Sequence, residues 1–255
     1  MPEQIRQQRQ DRILTLTFDR PERKNALTLV MYDALADALN AAAEDGEVRV
    51  VVLTGAGAAF TAGNDLKDFM QRPPTDTDTP VFRFLKALAT FPKPLLAAVN
   101  GAAIGVGTTL LLHCDLAYAA EGAVFQMPFT QLALVPEAGS SYLLPRALGH
   151  RKAAELLLLG EKFGADVAER AGLINGAVPA ESLMDAVMAK ARTLAGLAPQ
   201  SVQASKRLMK APFADTLAQV MLTEGRVFID RLQSPELAEA IGAFFQKRAP
   251  DFSKF

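Results

Sequence analysis

From Pro94 to Cys114 the chain carries no Asp, Glu, Lys or Arg, yet Asn100, three glycines and two threonines sit at the centre of that stretch. A membrane span of this length would not place so many polar and glycine residues at its middle, so the segment reads as the buried centre of a water-soluble fold. Pro94 to Val99 is an apolar run of strand length. Gly101, Gly105 and Gly107 then interrupt it, and Leu110 to His113 continue as a buried helix. A glycine turn between strand and helix lets backbone approach backbone or ligand closely, and the first N–H groups of the helix have no intrahelical partner. Two readings follow: tight packing of helix on strand, or donors aimed at a negatively charged oxygen. The spacing Gly-x-x-x-Gly-x-Gly does not fit a dinucleotide fingerprint.

Composition narrows the partners. The 255 residues are 50% hydrophobic and 22% charged, with a net charge of −1, so the chain can bury a large core but carries no basic footprint for nucleic acid. The single cysteine, Cys114, is expected within the apolar helix as a buried thiol, and no disulfide can form within the chain. His113 and His150 lack metal-ligand spacing, so no metal is expected. The polar start, Met-Pro-Glu-Gln-Ile-Arg, is not a secretory leader, and the end, Ser253-Lys254-Phe255, only approaches a peroxisomal address. The expected location is the cytoplasm, away from membranes.

Taken in order, Ile13 to Phe18 alternates as a strand, and Asp19 to Asn25 is a charged turn in which Arg20, Arg23 and Lys24 are cationic. Such a turn is either solvated or set against phosphate. Thr28 caps a helix running to about Asp45 through Met31, Leu35 and Leu39, and Val48 to Thr54 follows as a buried strand. Strand, helix, strand predicts an α/β fold. Phe60-Thr61-Ala62-Gly63-Asn64-Asp65-Leu66 is a second strand-to-helix turn of small residues, with Asp65 in the first helical turn. Two such turns can direct two backbone N–H groups at one developing oxyanion. Gln71 to Pro80 is a polar, proline-rich loop that either lies on the surface or flaps over a pocket. From Glu181 onward the pattern is helical: Glu181 to Leu197, Gln200 to Lys210, Phe213 to Arg231 and Pro235 to Arg248.

The two turns, Phe60 to Leu66 and Asn100 to Gly107, together resemble the paired signature of the enoyl-CoA hydratase/isomerase (crotonase) superfamily. The resemblance extends through Asp115 to Ala120, Phe125-Gln-Met-Pro128, Ala171 to Ile174 and the tail Phe244 to Arg248, and so covers nearly the whole chain. It implies an α/β fold, the crotonase (ClpP/crotonase-like) spiral of ββα units, in residues 1–196. Residues 197–255 would form a helical subdomain supporting a homotrimer or a hexamer. It also implies an acyl-CoA thioester substrate and no separate cofactor, coenzyme A being part of the substrate. The oxyanion donors would be the backbone N–H groups of Asn64 and Val106, where valine in place of the usual glycine leaves the donor intact. Ala62, Gly63, Asn64, Asp65 and Leu66 would line the path of adenine and pantetheine, with Arg23 and Lys24 near the phosphates. Phe244 and Lys247 match positions that reach coenzyme A from a neighbouring subunit, although helix packing and a solvated lysine account for them equally well.

Hydratases of the family use two glutamates, and this chain has Thr109 and Phe129 at those positions. An acid stands instead at Glu137, within Leu134-Val-Pro-Glu-Ala-Gly-Ser-Ser-Tyr-Leu-Leu-Pro145, which is similar to the segment bearing the single catalytic glutamate of peroxisomal-type 3-enoyl-CoA to 2-enoyl-CoA isomerases. Read locally, Glu137 is only an N-terminal helix acid after Pro136. Read through the resemblance, it is a base whose pKa an apolar surround of Phe129, Leu132, Leu134 and Val135 raises. The resemblance therefore implies an enoyl-CoA isomerase. Its alternatives are a hydratase with unusual acids, another crotonase reaction, or an acyl-CoA-binding member without activity.

Overall fold

The computed structural model describes residues 4–76 and 78–255. Among these residues ten strands form two sheets: β1 (Ile5–Gln10), β2 (Ile13–Phe18), β3 (Val50–Gly55), β4 (Ala59–Thr61), β5 (Leu95–Val99), β6 (Ala102–Ile104), β7 (Leu116–Ala120), β8 (Val124–Gln126), β9 (Phe163–Gly164) and β10 (Gly176–Val178). The larger sheet runs β1-β2-β3-β5-β7-β10 and the smaller β4-β6-β8-β9. Three long parallel strands of the first sheet are each followed by a short strand of the second: β3 by β4, β5 by β6, β7 by β8. This alternation is the spiral. It sets the turns after β4 and β6 beside one another at the edge of the small sheet, because these two strands pair in parallel.

The helices are α1 (Leu29–Glu44), α2 (Leu66–Gln71), α3 (Pro80–Thr90), α4 (Val106–Thr109), α5 (Ser140–Leu148), α6 (His150–Ala154), α7 (Ala165–Arg170), α8 (Leu183–Gly196), α9 (Pro199–Lys210), α10 (Ala214–Arg231) and α11 (Pro235–Gln246). Parallel strands need both faces covered, and both are. Val51, Leu53, Leu95 and Ala97 face a core shared with α1 and α3, while Val50, Val52, Leu96 and Ala98 pack against Leu183, Val187 and Ala191 of α8. No helix among the described residues is long and apolar enough to cross a membrane.

The expected α1 is correct to its cap, where the Thr28 hydroxyl accepts from Met31 N–H. The structure adds one strand and revises two expectations. The polar start forms β1, a solvent-facing edge strand tied to β2 through a tight turn at Asp11 and Arg12, both in the left-handed region (φ 53° and 64°). An edge strand that leaves five of six residues exposed has no apolar alternation to announce it. The apolar helix after the glycine turn is α-helical only from Val106 to Thr109, and Leu110–His113 tighten into a 3-10 turn. Cys114 therefore lies just past the helix in extended backbone, where burial pushes its thiol up to about 12.

The C-terminal helices fold back onto the core through buried cations. Lys206 of α9 is buried, and its ammonium donates to the carbonyl of Lys93 and to Asp115 Oδ2, both at 2.7 Å. Lys93, also buried, donates in turn to the carbonyls of Ala42 and Asp45 at the end of α1 (2.6 and 2.7 Å). Asp115 also accepts from Leu95 N–H at 2.8 Å, so it locks the entry to β5. Truncation by Lys206→Ala leaves that carboxylate without its cation, and denaturant unfolding is expected to show a loss of about 2 kcal/mol. Lys206→Met, which keeps the packing over Phe91, is expected to lose less.

Candidate active site

Two turns meet at the edge of the small sheet. Residues 63–65 run beside Leu27, whose N–H donates to Gly63 O and whose carbonyl accepts from Asp65 N–H, each at 2.8 Å. With Gly63 O and Asp65 N spent on that side, the N–H of Asn64 is left on the opposite side, where Asn64 lines a cavity. Gly63 makes this possible. Its φ is 83°, and a Cβ there would stand 2.7 Å from the carbonyl oxygen of Ile104, in the neighbouring turn.

The second turn repeats the device. Gly105 (φ 57°, ψ −120°) precedes Val106, the first residue of α4, and its own N–H is taken by Gln126 O at 2.8 Å. Only glycine holds that backbone comfortably. The N–H of Val106 is a first-turn donor of a helix, and Val106 borders the cavity. The structure thus assembles two donors, each following a glycine in the positive-φ region. Tyr32 of α1, buried, donates its hydroxyl to Asn64 Oδ1 and fixes that side chain. Burial, and second the charge of Glu137, raise the Tyr32 pKa well above the ordinary range, so it remains a donor.

Glu137 lines the same cavity, in company with Phe129, Leu132 and Leu134; Val135 does not line it. It is not a helix-terminal acid. Ala138 and Gly139 adopt left-handed backbone (φ 59° and 72°) and separate it from α5, which begins at Ser140. Burial pushes its pKa up to about 8; the Thr109 hydroxyl, which donates to Oε1, pulls it down, and the charge of Glu224 raises it further. Thr109, one of the two positions where family hydratases carry a glutamate, is therefore a hydrogen-bond partner of the acid that is present. Phe129, the other, forms apolar wall.

The cavity measures about 820 Å³. Of the residues expected in it, Arg23, Ala62, Gly63, Asn64, Asp65, Leu66, Val106, Glu137 and Phe244 all line it. Asp65 does so as the cap of α2, one residue before the helix, accepting from Lys67 and Asp68 N–H (both 3.1 Å) and pairing with Arg20 at 2.6 Å. Burial works against its carboxylate, but Arg20 and the two N–H groups outweigh it and hold the pKa below the usual range. Arg20 is thereby committed to structure, and of the charged turn only Arg23 reaches the cavity.

Two expected residues do not line it. Lys24 is exposed in left-handed backbone (φ 52°) and contributes its carbonyl, which accepts from Ala62 N–H at 2.9 Å. Lys247 is exposed too, because its left-handed φ of 54° ends α11 and turns the chain; Arg248 lines the cavity instead. Phe244, expected from a neighbouring subunit, borders the cavity of its own chain together with Phe245. Lys67, Phe228 and Phe245 are further lining residues the sequence reading did not single out. Lys67 stood one residue beyond the turn motif, whereas Phe228 lay in a helical stripe with nothing to separate wall from core. Behind Asn64 and Glu137 a smaller cavity of about 20 Å³ is bounded by Tyr32, Phe82 and Leu85, with Pro74 of the proline-rich loop at its side.

Comparison with known proteins agrees with this geometry. The family model described as enoyl-CoA hydratase/isomerase matches residues 8–254. The chain is 35% identical over 246 residues to enoyl-CoA delta isomerase 3, peroxisomal, of Mus musculus, covering 94% of this chain and 77% of that protein. It is 36% identical over 245 residues to 2,3-dehydroadipyl-CoA hydratase of Escherichia coli, covering 96% of each. The crystal structure of an enoyl-CoA hydratase/isomerase from Pseudoalteromonas atlantica superposes with a TM-score of 0.94 at 44% identity, over 98% of this chain and 100% of that one. With the paired turns, the two-sheet spiral and these matches in agreement, the chain belongs to the enoyl-CoA hydratase/isomerase family and has the crotonase fold.

Proposed function

We propose that the protein moves the double bond of an enoyl-CoA thioester from C3 to C2, with Glu137 as the one base and the N–H groups of Asn64 and Val106 as the oxyanion donors. One observation carries the reading: of the two carboxylates that line the cavity, Asp65 is held by Arg20 and two backbone N–H groups, which leaves Glu137 as the candidate base, while the positions of the two hydratase glutamates hold Thr109 and Phe129. Hydration by the two-acid route needs a second acid to manage the attacking water. Isomerisation does not.

In this mechanism the thioester oxygen accepts from both N–H groups. The Glu137 carboxylate takes the proton from C2, and the C–H electron pair enters a dienolate whose charge rests on that oxygen. Glu137 then returns the proton at C4, the double bond settles between C2 and C3, and the carboxylate is restored. Each oxyanion donor is worth about 3 kcal/mol in reactions of this kind. A base with a pKa near the working pH is suited to both taking and giving the proton. The apolar walls beyond Glu137 would hold the acyl chain, and Arg23, Lys67 and Arg248 would meet the phosphates of coenzyme A at the open end.

With 3-hexenoyl-CoA, ultraviolet absorbance of the conjugated thioester is expected to rise, and with 2-hexenoyl-CoA little should be lost. Formation of the 3-hydroxy product from the second substrate would replace this reading by a hydratase. Because the base must be ionised, kcat/KM is expected to climb about tenfold per pH unit on the acid side and level off above about pH 8.

Glu137→Gln is expected to lower turnover by about a thousandfold or more with affinity for the thioester nearly kept. The same variant should stabilise the fold at alkaline pH. A carboxyl whose folded pKa lies above its unfolded value holds its proton more tightly when folded. Wild-type stability therefore falls as pH rises from about 4.5 through about 8. Thermal unfolding at pH 8.5 should show Glu137→Gln more stable by about 1–3 kcal/mol, with the difference vanishing near pH 4.5.

A further inference from the structure

Glu137 stands at the start of a turn that is costly to hold. Ala138 and Gly139 are both left-handed, and a non-glycine residue persists in that region only where its surroundings fix it. The fixing comes from two sides. On one, the buried His113 ring meets the carbonyl of Ala138 through Nε2 at 2.8 Å. On the other lies α10. Leu217, Met221 and Glu224 recur on one face of that helix, and a Cβ at Gly139 would collide with Leu217 Cδ1. Glu224, buried, accepts from Gly139 N–H through Oε2 (2.6 Å) and from Ser141 N–H (2.9 Å) and the Ser141 hydroxyl through Oε1.

We propose that Glu224 is a positioning residue for Glu137: a carboxylate from the C-terminal helix α10 whose two oxygens bind the backbone of the turn that presents the base. This deepens the proposed function and rests on Glu137 as the base. The same α10 face continues to Phe228, a wall of the cavity, so one helix both closes the pocket and sets the turn.

The carboxylate also acts through its charge, which raises the proton affinity of Glu137. The groups facing Glu137 are the Thr109 hydroxyl from α4, the Tyr32 phenol from α1 and Glu224 from α10. Arg23, Asp65, Lys67 and Arg248 line the same cavity, and neutral His113 lies across the turn. Glu224 itself is faced by Gly139 and Ser141.

The test compares Glu224→Gln, which removes the charge at nearly constant shape, with Glu224→Asp, which keeps the charge and shortens the reach. In Glu224→Gln the acid limb of kcat/KM for 3-hexenoyl-CoA is expected to move down by about half a pH unit to one unit. In Glu224→Asp the limb should stay while kcat falls about tenfold and KM changes less than about twofold. Titration of the Glu137 carboxyl carbon by NMR, assigned through Glu137→Gln, needs no substrate and is expected to show the same downward shift in Glu224→Gln. Superimposed titrations and an unchanged kcat in Glu224→Asp overturn the proposal. If Glu224→Gln does not fold, Glu224→Asp decides alone, and wild-type kcat in it overturns the proposal. Turnover that survives in Glu137→Gln defeats the base reading whatever Glu224 does. Turnover lost there but indifferent to both Glu224 variants defeats only the present inference.

Discussion

The parallel pairing of β4 with β6 is the contact on which the rest of the site depends. It sets Ala59 opposite Ala102 and Thr61 opposite Ala103, with a register shift between the two pairs. That register brings Gly63 against the Ile104 carbonyl, so that both turns end at the same edge with a free N–H each. A slip of one residue would turn one of the donors to the opposite face. The small residues of both motifs are therefore explained by approach distance and backbone conformation before any ligand is considered, and the donors follow from the same geometry.

The acid placed beside those donors is held against its own solvation. An apolar surround and a neighbouring carboxylate both favour its protonated form, and only the Thr109 hydroxyl counters them. Such a group lowers the stability of the folded chain wherever it is ionised, which agrees with the proposed role of Glu137 as the base. Asp65 is the contrast within the same cavity: Arg20 and two backbone donors satisfy it, and it behaves as a structural cap. Two carboxylates lining one cavity thus have opposite characters, and their partners decide which is which.

The helical C-terminal region completes the cavity within a single chain. Lys206 fastens α9 to the edge of β5, α10 supplies Phe228 and the Glu224 contact to the turn, α11 brings Phe244 and Phe245 to the cavity wall, and Arg248, past the end of α11, also lines it. Base, donors and wall come from segments far apart in the chain.

The sequence by itself determined the class of fold, the capped helix from Thr28 and the two glycine turns, because each is written in local periodicity or in residues with few other uses, whereas the candidate acid Glu137 stood out only through the family resemblance. Gly63 and Gly105 were legible since only glycine suits their backbone. Tertiary structure decided the rest. Whether Glu137 sat at a helix start or in a buried turn depended on two left-handed residues that the sequence does not announce, one of them an alanine. Whether Arg20, Arg23 or Lys24 reached the cavity depended on which cation Asp65 captured. Glu224 and Phe228 looked like ordinary members of a helix stripe, since a stripe specifies a face but not what that face meets. Such contacts join residues distant in sequence, and chain packing alone brings them together.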